Sequence, residues 1–205
     1  MKKIFGLVAL SSVVLMALPA YAEDIVSNNS GEVKINGTLG MDNTVEDATI
    51  LEGQDAWINV TLPTDTIFYS TDKKANAPIA SPDYTITNNS GRPVDILFKE
   101  IVKENPVDPA PFKYSVSLQG FTSTPKIIEN GLVASEDNGK TIHTLANNNG
   151  KLGKDDPSEL NTTANTVTFR YVGEVKDPLA EEDIITENYT MTLQFKAVSW
   201  PEDTP

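Results

Sequence analysis

Along most of its length the chain alternates apolar and polar residues with a period of two, the pattern of half-buried β-strands. Val33, Ile35 and Leu39 share one parity, with Lys34, Asn36 and Thr38 on the other. Ile58, Val60 and Leu62 repeat the pattern until Pro63 stops it, since proline has no N–H to give to a ladder. Tyr84 and Ile86 alternate with Thr85 and Thr87 up to a turn cluster at 88–93, after which Val94, Ile96 and Phe98 resume. This reads as a strand, a loop of hairpin length and a strand. Tyr114, Val116 and Leu118 alternate with serines, and shorter apolar pieces lie at 127–128 and 142–145. Val167, Phe169 and Tyr171 make a late strand, and a long one comes last: Tyr189, Met191, Leu193, Phe195 and Ala197 facing Thr190, Thr192, Gln194 and Lys196. About nine strands separated by Pro, Gly, Asn and Asp predict an all-β fold, an antiparallel immunoglobulin-like β-sandwich over residues 32–200. The helical signal is confined to 151–160, where Gly153 and Pro157 limit it to a turn or two, and 105–111 and 147–157 read as exposed loops.

The first residues do not follow this alternation. Lys2 and Lys3 precede an apolar run over 4–18, and Ala20, Tyr21 and Ala22 form a small-x-small cleavage signal. The run is short against the roughly twenty residues of a bilayer span, and Pro19 closes it. The expectation is a secretory leader over 1–22, a flexible lead over 23–31 and a short tail over 201–205. Cleavage leaves 183 of 205 residues, and loss of Lys2 and Lys3 takes the formal net charge from −13 to −15. That charge repels phosphate backbones and anionic lipid, and no second apolar segment long enough to span a membrane follows, so neither nucleic acid nor membrane insertion after cleavage is expected. The chain has no cysteine, so no disulfide and no lipidated cysteine after Ala22 is available. A lysine-led leader on a cysteine-free product suits a Gram-positive exporter, with the protein secreted and associated with the cell surface.

Composition also narrows the chemistry. With one histidine, His143, neither a multi-histidine zinc site nor an HExxH motif is possible, and the residue reads as a strand position on the wetter face. No serine lies in a GxSxG elbow, and no glycine-rich run precedes Lys-Ser or Lys-Thr. Carboxylates remain, at Glu46 with Asp47, Glu136 with Asp137, Asp155 with Asp156, and Glu181 and Glu182 with Asp183. All sit in polar surroundings, whereas a general acid needs an apolar pocket that raises its pKa. Glu136-Asp137-Asn138-Gly139 comes nearest to a calcium loop but reads as a tight turn between short strands. No catalytic residue, metal ligand or cofactor is therefore assigned. Six Asn-x-Ser/Thr triplets start at Asn28, Asn36, Asn59, Asn88, Asn161 and Asn188 and reflect an Asn- and Thr-rich composition. Three aromatics are candidate contact residues: Trp57, on the opposite parity to Ile58 and Val60; Phe195; and Trp200, directly before Pro201. The other readings are packing on the second face for Trp57 and, as the usual role of a terminal tryptophan, a plug over one end of the core for Trp200.

The run from Tyr189 through Leu193, Phe195 and Ala197 to Trp200 and Pro201 resembles the C-terminal motif of Gram-positive WxL surface proteins, with Phe195 in place of tryptophan and Ala197 in place of leucine. The segment 85–91, and Leu193-Gln194-Phe195 followed by Trp200, look like strands of the camelysin and TasA group of exported matrix proteins. Both resemblances imply a non-enzymatic envelope or matrix protein. The expectation is a binding or structural module held non-covalently on the cell wall or on another surface protein. The alternatives are a self-assembling fibre or biofilm-matrix subunit that donates a strand to its neighbour, and a carboxylate-based hydrolase or metal-dependent enzyme.

Overall fold

The alternating segments pair into two antiparallel sheets that stack face to face. In the computed structural model the described residues are 42–104, 112–156, 164–180 and 184–200, all within one compact unit that spans 37–205. The expected leader at 1–22, lead at 23–31, strand at 32–39, loop at 105–111 and tail at 201–205 lie outside the described residues.

The larger sheet contains β1 (Val60–Thr61), β2 (Ala77–Ile79), β3 (Tyr84–Asn88), β5 (Tyr114–Gln119), β6 (Lys126–Glu129), β7 (Leu132–Val133) and β9 (Thr166–Val175). Its order is β1-β3-β9-β5-β6-β7, with β2 also against β9. The smaller sheet is β10-β4-β8, formed by β4 (Val94–Lys103), β8 (Lys140–Leu145) and β10 (Tyr189–Ala197). The fold is therefore all-β, antiparallel and sandwich-like, as the alternation predicts.

The core forms where the two inner faces meet. Ile86 and Phe169 from the larger sheet are buried with Ile96, Phe98 and Leu145 from the smaller. β4 would turn Glu100 inward if its alternation ran unbroken. A register shift against β10 pairs Phe98 with Leu193 but Glu100 with Thr192, so Lys99 is the extra residue and Ile101 is buried instead. Gly173 marks the tightest strand contact: a Cβ there would lie 1.9 Å from the Ser115 carbonyl oxygen.

Two expectations need correction. Tyr84–Asn88 and Val94–Lys103 do not form a hairpin; β3 pairs with β1 and β9, β4 with β10 and β8, and the 88–93 turn carries the chain from one sheet to the other. Local residues are the same for a hairpin and a crossover, and both edges of β3 are taken by distant strands. The run around Ile58 gives only the two-residue β1, because residues Asp55–Trp57 wind into a 3-10 turn and Trp57, rather than Leu62, is buried. β2 and β7, at three and two residues, are too short for a period to show in the sequence.

Candidate functional site

Aromatic and charged groups gather at the two opposite ends of the sandwich. At the end where β4 begins and β10 finishes, the crossover is built from buried polar residues. Asn88 donates from Nδ2 to the carbonyls of Arg92 and Ala146, each at 2.8 Å, and its Oδ1 accepts from Ser90 N at 3.1 Å and Ser90 Oγ at 2.7 Å. These bonds satisfy backbone groups that leave both ladders at the crossing, so Asn88 and Ser90 are fully buried without an unmet partner. A side chain at Gly91 would meet the Val45 carbonyl oxygen at 2.5 Å, so glycine there lets the turn pass close to the 42–52 segment.

Arg92 then extends between two indoles, its guanidinium carbon 4.1 Å from the Trp57 ring centre and 4.3 Å from that of Trp200. Its Nε and Nη2 donate to Glu52 Oε1 at 2.9 and 2.5 Å, and Nη1 donates to the Glu46 carbonyl at 2.8 Å. Glu52 Oε2 also accepts from Trp200 N at 3.0 Å. Burial raises the Glu52 carboxyl, but the hydrogen bonds from Arg92 and Trp200 outweigh it and hold the group below the ordinary carboxylate value. Glu46 behaves alike: burial raises it, while Asn149, Lys151 and Asn147, at 2.8, 3.0 and 3.0 Å, bring it down. Neither indole Nε1 meets a hydrogen-bond partner among the described residues. The assembly joins the incoming 42–57 segment, the crossover and the end of β10, and every charge in it is matched.

The other end, where β4 finishes and β10 begins, is open. An irregular strap, residues 62–70, crosses the gap between the sheets, and Phe68 dips from it among three tyrosines, with ring centres 6.2 Å from Tyr114, 5.8 Å from Tyr171 and 6.5 Å from Tyr189. Such separations fall in the range of favourable aromatic pairs. The strap is pinned by Thr66 Oγ1 to the Tyr171 hydroxyl at 2.8 Å, and by Ile67 N donating to the Tyr84 hydroxyl at 2.7 Å. Beside it lies a cleft of about 850 Å³, within the size range of ligand sites, with the inward residues Tyr189, Met191 and Leu193 of β10 on its wall.

A carboxylate closes the cleft's inner corner. Glu187 accepts from Lys103 Nζ at 2.7 Å, from the Tyr189 hydroxyl at 2.6 Å and from the Tyr114 hydroxyl. Burial raises Glu187, and the bonds from Lys103, Tyr114 and Tyr189 more than reverse this. Burial and the hydrogen bond to Glu187 push both phenols above the ordinary tyrosine range. The cluster therefore keeps one anion matched by one cation and both phenols neutral at physiological pH. A carboxylate held low by three donors is a poor general acid. Among the described residues, no three acidic, histidine or cysteine side chains converge as a metal site would require.

Of the three candidate contact aromatics, Trp57 and Trp200 come together, both buried against Arg92. Phe195 sits apart, half-buried on the inner face of β10. The cleft aromatics Tyr114, Tyr171 and Tyr189 were legible as inward strand residues, whereas Phe68 and Glu187 lie in irregular segments without periodicity. His143 is half-buried on β8, accepts or donates a hydrogen bond at Nδ1 with Thr122 at 2.8 Å, and has its pKa lowered by burial. The 136–139 segment forms the turn between β7 and β8. Asn88, the start of an Asn-x-Ser triplet, is a fully buried scaffold residue.

No protein-family model matches the chain, and no curated protein matches it significantly.

Proposed function

We propose that the chain is a non-enzymatic, exported cell-surface module that holds a wall component or another surface protein non-covalently in the cleft between its sheets. The observation that carries this reading is the half-covered aromatic wall of the large cleft at the Tyr114 end, against a smaller hollow of about 330 Å³ beside the buried Arg92 clamp at the other. Leu62, Ile67 and Ile185 on the cleft rim are 44%, 57% and 44% exposed, a concentration of apolar surface that fits a contact site. The locked Glu187 supports a binding role over an enzymatic one.

Retention of the purified protein on isolated cell walls, and on walls stripped of protein, tests the reading against Met191→Arg, which places a charge on the cleft wall. The expected result is retention by the native chain and its loss in the variant. Equal retention of both would remove the cleft from the account.

A second reading, a subunit of an extracellular fibre, is favoured by one feature. β10 has β4 as its one strand partner among the described residues, so its far edge offers nine residues of backbone for strand addition. Ordered, concentration-dependent growth in light scattering would support it over the first.

A further inference from the structure

Three features of the cleft restrict what it accepts. Among the described residues no Lys, Arg or His lines it, whereas Asp65, Glu104 and Glu187 do. Glu187 is matched by Lys103, which leaves Asp65 and Glu104, both exposed, as the charges an incoming ligand meets. On a chain of formal charge −13 this field disfavours anionic wall polymers and a second copy of the protein alike. Behind the acidic rim the wall is apolar: Ile86, Ile101 and Phe169 lie at depth, and Met191 and Leu193 lie along β10. The far edge of β10 runs beside this wall. An extended segment laid along it sends every second side chain between the sheets and the intervening ones toward the rim.

We propose that the cleft takes an extended segment of another protein that alternates apolar and basic residues, the apolar side chains entering between the sheets and Lys or Arg meeting Asp65 and Glu104. This rests on the reading that the cleft is the binding site, and it names the chemistry of the partner. Charge complementarity selects such a peptide over a glycan phosphate or a like-charged copy, and the alternation follows from strand geometry.

The test uses three labelled heptapeptides in fluorescence anisotropy: KIKVKIK, its counterpart with Glu for every Lys, and KKKKIVI, which has the first peptide's composition without its alternation. Proteins are the native chain, Met191→Arg, and the double variant Asp65→Asn/Glu104→Gln, each checked for an unchanged circular dichroism spectrum. Saturable binding of KIKVKIK is expected, about tenfold tighter than that of either control. It should be about fivefold weaker, with a shallower salt dependence, in the double variant, and lost in Met191→Arg. Equal binding of the acidic or the block peptide, still lost in Met191→Arg, overturns the partner's chemistry while the cleft stands as a site. Self-association by light scattering that is lost in Met191→Arg assigns the cleft to a second copy and also overturns it. If Met191→Arg changes neither peptide binding nor wall retention, the proposal and the reading beneath it both fall.

Discussion

The two ends of the sandwich use similar ingredients to opposite effect. At one, Arg92 lies between Trp57 and Trp200 with Glu52 on its fork, and all three aromatic and cationic groups are buried. At the other, Phe68 and Tyr189 are half-buried and the sheets part around a cleft of about 850 Å³. A planar guanidinium offers two faces for stacking and a fork for a carboxylate, so one residue can close a sandwich end. Tyrosines and a strap-borne phenylalanine fill less of the gap and leave apolar surface on its wall. Closure at the first end thus belongs to stability, and incompleteness at the second is what the proposed recognition rests on.

The largest expected effect breaks the closed end. Arg92→Ala leaves Glu52 without its cation and two indole faces without their partner, and should cost about 3–5 kcal/mol in urea denaturation. A loss of less than about 1 kcal/mol would mean that the indoles repack and that the clamp is incidental. Phe195→Ala, on the inner face of β10 but half-buried, should cost about 2 kcal/mol, below the range for a fully buried phenylalanine. A cost as large as that of Arg92→Ala would show the β10 wall to be tighter than its exposure indicates.

Acid should act on both ends. Glu46, Glu52 and Glu187 have folded-state pKa values below their ordinary value of 4.5, so each stabilises the fold above that pH and loses its contribution as pH falls through the lower folded value. The melting temperature should therefore fall below about pH 4.5, and Glu187→Gln should flatten only part of that fall, since two of the three carboxylates lie at the Arg92 end. Alkali should separate the ends, because the raised phenols Tyr114 and Tyr189 belong to the cleft alone. Their contribution is complete below the ordinary tyrosine value of 10.0 and is lost as pH rises above it. Glu187→Gln, which removes the negative charge beside the two phenols, should lessen that alkaline loss. The smallest effect is expected at Lys196, exposed on the outer face of β10, where Lys196→Ala should cost about 0.5 kcal/mol or less.

What the chain discloses before folding follows from range. β10 was legible residue for residue over Tyr189–Ala197, because five apolar positions on one parity leave no other reading. That its inner face stays half-covered was not legible, since coverage depends on the opposite sheet and on a strap of residues 62–70 that has no period. The 88–93 turn was legible as a turn but not as a crossover; distant β9 and β10 decide that. Trp57 and Trp200 stood out as rare aromatics, yet nothing local shows that 143 residues of separation would close on Arg92. Glu187 stands alone in the sequence, away from the conspicuous acidic pairs, although its hydroxyl and amine donors make it the more constrained group.

The central claim, an accepting end and a structural end in one domain, is tested most directly by titrating the protein with KIKVKIK while following the Met191 methyl signal and the two indole N–H signals of Trp57 and Trp200 by nuclear magnetic resonance. The account predicts a saturable shift of Met191, assigned through Met191→Leu, with both indole signals unmoved. Indole shifts at constant Met191, or no shift at any of the three in the presence of demonstrated binding, would contradict it.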